Sequence, residues 1–336
     1  MNIPQDFLFG FSMPDILADS DIHFAKEARA AACVLPLEWK NIIPFEDGTV
    51  NQEAIEAYSK QIEDCVKRGL VVFAVLSRGA LPEYLELSGG WCSRKTALQF
   101  GVYAEVCFEA FGSRVKNWIT FQDINTHLNK RYMSTVRKRE PERFYQASHN
   151  IFVAHARAVR TYSYLRQYGE IGIIHSFNPA ISAENSFDEL ANAEHKNYTE
   201  GFWFFDPCLR GEYSDYMLEY LKKLNMTPRW SSEDLQEISD TAHLNHFAGV
   251  HFNVMEGLDP ESNISKIEYG LNLLKMRYGQ IKLYLFDGSI SFNQLEGYIR
   301  RLLEQDIYLK GYFSPYRSTS AQHNLNVNEG NRISTP

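Results

Sequence analysis

The chain has no run of about eighteen apolar residues, the length that a membrane-spanning helix needs. It also has no block of five or more like charges. Its net charge is −8, from 34 Lys and Arg against 42 Asp and Glu. That balance gives no electrostatic footprint for nucleic acid or for an anionic membrane surface. The opening Met1-Asn2-Ile3-Pro4-Gln5-Asp6 lacks a basic stretch and an apolar core, so no signal peptide is expected. The five cysteines (Cys33, Cys65, Cys92, Cys107 and Cys208) are odd in number and widely spaced, with no CxxC pair. They read as reduced, mostly buried thiols of a cytoplasmic protein rather than a disulfide framework. HxH and HExxH spacings are absent, and no metal or other cofactor is expected. There is no internal repeat, no low-complexity tract and no shift of composition that marks a second domain.

What is present is an alternation. Short apolar runs are separated by longer segments of helical period, the pattern of repeated βα units around a parallel sheet. Eight candidate strands can be placed: Phe7–Met13, Ala31–Leu37, Leu70–Ser77, Lys116–Phe121, Ile171–Ser176, Phe247–Asn253, Ile281–Phe286 and Tyr308–Phe313. Several are apolar on both faces, as in Leu70-Val71-Val72-Phe73-Ala74-Val75-Leu76, which suits a strand covered on both sides. Between them, Asn51 is placed to cap a helix with Ala54, Ile55, Tyr58, Ile62 and Val66 on one face. Ser93 is placed to cap a helix that stops at Gly112. Pro141 suits a first helical position, with Gly169 as the stop after Tyr168. Eight strands in one chain predict a single α/β domain, a (β/α)8 barrel, over residues 1–316. The stretch 317–336 is polar and aperiodic, and reads as a C-terminal tail. With no eighth outer helix in it, the first and eighth strands need cover from the tail, another segment or a second copy of the chain.

Several motifs in order carry a resemblance. Phe7-Leu8-Phe9-Gly10, Gly89-Gly90-Trp91, Ala154-His155-Ala156 and Trp203-Phe204-Phe205-Asp206-Pro207 with Gly211-Glu212-Tyr213 each resemble segments of glycoside hydrolase family 1, the β-glucosidase family. So does Trp118-Ile119-Thr120-Phe121, which leads in that family to Asn-Glu-Pro and the acid/base glutamate. Here the triplet is Gln122-Asp123-Ile124. The resemblance implies a barrel whose retaining members use two carboxyl groups about 5–5.5 Å apart. It places Asp123 at the acid/base position and Gln122 at a sugar-binding amide. On the seventh strand the family's Tyr-Ile-Thr-Glu-Asn-Gly is Tyr284-Leu285-Phe286-Asp287-Gly288, one residue short. Alignment on the glycine puts Phe286 at the nucleophile; alignment on the strand puts Asp287 there. Because a one-residue slip flips a strand while loops tolerate deletions, Asp287 is favoured.

Other positions implied by the resemblance are also altered. The family's histidine after the third strand is Arg78, and its Asn-Tyr pair on the sixth strand falls on His251-Phe252-Asn253. His175, His251 and His127 lie near strand ends, where barrel sites sit. Arg78, Gln122, His251, Asn253 and His175 are therefore the candidate binding residues, and Asp123 and Asp287 the candidate catalytic pair. Arg78 suits a carboxylate or phosphate on a small sugar-like ligand, or else pairs with Asp123, Glu38 or Asp15 and fills the pocket. His149 and His155 read as packing or surface residues of an outer helix. Two shorter acids widen the gap toward the roughly 6.5–9.5 Å of inverting hydrolysis. The expected function is acid/base chemistry on an unusual glycoside or small polar metabolite. The alternative is a pseudoenzyme that binds a sugar or a partner, and ordinary retaining β-glucosidase action comes last.

Overall fold

The computed structural model describes residues 2–13, 30–136, 138–182, 186–252, 260–288 and 292–315. The polar tail, residues 317–336, lies outside these residues.

Eight strands form a closed barrel in chain order. They are β1 (Leu8–Ser12), β2 (Ala32–Pro36), β3 (Val71–Ser77), β4 (Asn117–Gln122), β5 (Glu170–Phe177), β6 (Phe247–Phe252), β7 (Leu283–Phe286) and β8 (Leu309–Pro315). Every neighbouring pair is parallel, including β1 with β8. Each strand lies within a few residues of its predicted span. All-parallel strands need cover on both faces, and β2 is buried at every position.

The barrel interior is filled largely by rings. Phe73 meets Phe247, Tyr284 and Phe313 edge to face, at centroid distances of 6.1, 5.1 and 5.1 Å. Small residues on the facing strands make room for them: a Cβ on Gly172 would lie 2.6 Å from the Phe247 ring. Outside the strands, two apolar layers divide the molecule. One packs β2–β5 against the helices Gln52–Lys67, Arg94–Phe111 and Pro141–Tyr164. The other packs β6–β8 against Pro260–Tyr278 and Phe292–Glu304.

Local signals position these helices. Asn51 Oδ1 accepts from the Ala54 amide at 3.3 Å, as a cap should. On that helix Tyr58 and Ile62 are buried, whereas Val66 is exposed. Ser93 occupies a cap position but makes no side-chain cap bond. The helix begun by Pro141 ends at Tyr164, short of the expected end at Tyr168. Gly169 serves the next strand instead: its φ is +132°, and a Cβ there would lie 2.0 Å from the Lys116 carbonyl oxygen. Two ion pairs with buried carboxylates tie the outer helices together. Arg277 grips Asp206 with two bonds of 2.6 Å, and Arg94 grips Asp234 likewise, with its shortest bond 2.6 Å.

Candidate functional site

The carboxyl ends of the strands surround a cavity of about 470 Å³. Ser12, Arg78, Gln122, Asp123, His251 and Phe286 reach it from five strand ends, and Asp287, His127, Lys130 and Phe313 are among the other residues of its wall. This is the end at which barrels of this kind carry their sites.

A β-bulge sets the polar half. The register between β4 and β5 shifts between Ile119 and Gln122. Ile119 faces the barrel interior. Thr120 and Phe121 then both face outward, Thr120 to His155 Nδ1 at 2.7 Å and Phe121 stacked on Phe100 at 4.6 Å. The extra outward residue turns Gln122 into the cavity, a common use of a bulge. Asp123 follows in the left-handed region, φ 54°, which Asp tolerates better than most residues. Its carboxylate is held from two sides. Ser176 Oγ donates to Oδ1 at 2.7 Å, and His251 Nδ1 contacts Oδ2 at 2.8 Å. Ser176 is itself fixed, since Thr126 Oγ1 donates to its hydroxyl at 3.0 Å and Asn125 Nδ2 to its carbonyl at 2.6 Å. Burial alone pulls the His251 imidazole down. The hydrogen bond and charge of Asp123, joined by the charge of Asp287, outweigh it and set the group above its ordinary 6.5.

Arg78 Nε donates to Gln122 Oε1 at 2.9 Å, and one of its terminal nitrogens to Ser12 Oγ at 3.2 Å. Gln122 Nε2 closes the triangle on Ser12 at 3.3 Å. The turn after Arg78 needs glycine. Gly79 has φ +109°, and a Cβ there would lie 2.5 Å from the His127 ring. Trp91 Nε1 donates to the Gly79 carbonyl at 3.0 Å and pins the turn from below.

The β7 end is built otherwise. Tyr284 and Phe286 face the interior, and Leu283 and Leu285 the outer layer. Phe286 stacks on Phe313 at 4.9 Å with an interplanar angle of 10°. Asp287 borders the cavity but has 0% exposure. The Tyr312 hydroxyl donates to its carbonyl at 2.8 Å and lies 3.4 Å from Oδ2. Tyr312 belongs to the outer layer. The inward position at this strand end is therefore held by Phe286, not by Asp287 as the register argument expects. Strict alternation along β7, with no bulge at its end, sends the next side chain outward.

The structure thus brings Asp123, Gln122, Arg78 and His251 together. It sets His175 apart: this residue is fully buried, against Phe204 and Phe205 on the outer side of β5. Burial pushes His175 down to about 3. Asn253 lies outside the described residues. His149 and His155 are buried packing residues. Among the described residues, no group of three His, Cys, Asp or Glu side chains could hold a metal. Ser176, Ser12, Thr126 and Lys130 also touch the site. Ser176 and Ser12 could have been found, since each lies at the end of a predicted strand; Thr126 and Lys130 carry no signal in the sequence.

A closed eight-stranded parallel barrel with a polar cluster at its carboxyl end defines the fold class: a (β/α)8 barrel. The sequence pattern of Glycosyl hydrolase family 1 matches residues 17–273, and the chain belongs to that family. It is 28% identical over 340 residues to the 1,4-beta-D-glucan glucohydrolase of Thermotoga neapolitana, covering 87% of this chain and 78% of that one. It is 31% identical to Beta-glucosidase A of Thermotoga maritima, over 68% of this chain and 52% of that protein. The 6-phospho-beta-galactosidase of Lacticaseibacillus casei is also 31% identical, over 69% of this chain and 51% of its own length. The solved family 1 β-glucosidase of Thermotoga maritima shares the fold, with a TM-score of 0.80, 21% identity, and 93% of this chain and 88% of that one covered. Among the described residues, no helix is long and apolar enough to cross a membrane.

Proposed function

We propose that this chain binds a small sugar-like or anionic ligand in the barrel mouth and performs acid/base chemistry on it at Asp123. One observation carries the reading. Asp123 is fixed at the cavity wall by Ser176 and His251, and the guanidinium of Arg78 borders the same cavity. Arg78 suits a phosphate or carboxylate on the ligand, and relatives whose names include both plain and phosphorylated β-glycosides support a glycoside class. Asp287 is the second carboxyl of this reading. It acts through its charge on His251, and would have to leave Tyr312 to meet a ligand directly.

The test is a panel of β-glycosides with and without a 6-phosphate, in aryl and alkyl forms, turned over by the wild type and by Asp123→Asn. General acid catalysis contributes about 10²–10⁴-fold, and most where the leaving group is poor. Alkyl glycosides should therefore lose that much in the variant, and aryl glycosides less. Equal rates in both proteins would sink the reading.

A second reading, a sugar-binding barrel without turnover, draws on the buried Asp287 and the inward Phe286. Saturable binding of a panel member by calorimetry, with no product after prolonged incubation, would select it.

A further inference from the structure

We propose that the atom exchanging protons with a ligand in this mouth is Nε2 of His251, and that Asp123 is its positioning residue. The inference rests on the acid/base reading above and moves the proton to a neighbouring side chain.

The hydrogen-bond inventory of Asp123 is the starting point. Its Oδ1 accepts from the Ser176 hydroxyl at 2.7 Å. That hydroxyl already receives the Thr126 hydroxyl at 3.0 Å, so its own hydrogen is directed at Asp123. Its Oδ2 faces His251 Nδ1 at 2.8 Å. Both carboxyl oxygens are thus engaged as acceptors. Each oxygen keeps a second acceptor site, but a proton placed on either one weakens the short, charge-assisted bond it already accepts.

His251 is placed in the complementary way. A carboxylate on Nδ1 fixes the proton there in the neutral ring and leaves the lone pair on Nε2. Nε2 makes no hydrogen bond to the described residues. The side chain is 32% exposed and lines the cavity. The same logic, a carboxylate orienting an imidazole whose far nitrogen meets the substrate, serves hydrolases of unrelated fold. The groups that share the cavity with this imidazole are Asp123 from the end of β4, Asp287 from the end of β7, Arg78 after β3, and His127 and Lys130 after β4. The two acids raise its proton affinity, and they outweigh its burial. An imidazole so placed takes a proton from a ligand hydroxyl in one step and returns it in the next. No oxidant or further reactant is required.

The dyad can be tested without turnover. In protein carrying ¹⁵N-labelled histidine, His251 should show the Nδ1-H tautomer when neutral and titrate above its ordinary value. In Asp123→Asn that titration should fall by about one unit or more. Ser176→Ala, which loosens only one oxygen of Asp123, should give a smaller fall. In a second measurement, wild-type protein is treated with diethyl pyrocarbonate and mapped by mass spectrometry. His251 should be modified at Nε2, with the exposed His243 as internal reference and His251→Gln as control.

An Nε2-H tautomer, an unchanged titration in Asp123→Asn, or an unmodified His251 beside a modified His243 would each overturn the assignment. The two proposals also fail separately. If no glycoside is turned over but both readouts hold, the hydrolytic reading falls and the dyad stands. If glycosides are turned over and His251→Gln keeps the wild-type rate while Asp123→Asn loses it, the dyad falls and the carboxyl reading stands.

Discussion

At the ends of β4 and β7 the chain places the same residue type, an aspartate, in opposite settings. After β4 a bulge spends one extra outward residue, so Gln122 and Asp123 arrive at the cavity and are held there by a polar network. After β7 the alternation runs on unbroken. Phe286 takes the inward place, and Asp287 meets the hydroxyl of an outer-layer tyrosine. One methylene separates aspartate from glutamate at both sites, yet the difference in fate does not come from side-chain length. It comes from backbone parity: one residue more or less before a strand end decides which wall of the barrel an acid serves.

The sharpest way to break this comparison is to neutralise each acid in turn. Asp123→Asn should cost about 10²–10⁴-fold in turnover of a poor-leaving-group glycoside, and Asp287→Asn less than about tenfold, because its effect passes only through charge. Comparable losses would mean that both acids reach the ligand.

Next is the apolar half. Phe286 is 4% exposed and stacked on Phe313. Phe286→Ala should lower unfolding stability by about 3–5 kcal/mol, read from urea denaturation. Gln122→Ala, which removes polar contacts on the other side of the same mouth, should cost only about 1–3 kcal/mol.

A pH series sharpens the contrast between His251 and the histidines of the outer layer. Burial holds His149 down at about 4 and His155 and His175 at about 3. The unfolded chain binds protons below about 6.5 while these folded groups refuse them. Their contribution is complete above that value and is lost as pH falls. His251 runs the other way. Its raised affinity contributes fully below 6.5 and is lost as pH rises through its folded value. Stability should therefore fall from pH 6.5 toward 4 at up to about 4 kcal/mol per pH unit, the limit for three protons. His251→Gln should flatten only the alkaline side. A symmetrical loss would contradict the burial argument.

An effect of the same size as that of Gln122→Ala is expected at Tyr312. Tyr312→Phe removes the hydroxyl that holds Asp287, and should cost about 1–3 kcal/mol.

The barrel was legible because its strands are apolar on both faces and short, a pattern few other architectures need. Asp123, Gln122, Arg78 and His251 were legible because strand ends in such a barrel converge on one mouth. The seventh strand was not. Its sequence shows where the acid lies but not which way the backbone turns, and a bulge such as that at Thr120–Phe121 leaves no mark that residue types reveal. His175 misled for the same reason: a histidine near a strand end faces the mouth or the outer layer according to parity alone. The stop at Gly169 misled because the glycine answers to the Lys116 carbonyl across the sheet, a contact that local sequence does not contain.

Trp91 gives the mouth an optical voice. Its indole nitrogen is bonded to the carbonyl of Gly79, directly after Arg78, and its ring lies 5.4 Å from that of Phe121 beneath Gln122. The indole nitrogens of Trp39, Trp118 and Trp203 are buried without hydrogen-bond partners among the described residues. Trp118 and Trp203 sit in the apolar layer, whereas the Trp39 ring lies 6.3 Å from that of Trp91 and shares its surroundings. A ligand that draws on Arg78 pulls on the peptide to which Trp91 is bonded. A ligand that engages Arg78 should therefore change the fluorescence difference between this protein and Trp91→Phe, with no coloured substrate.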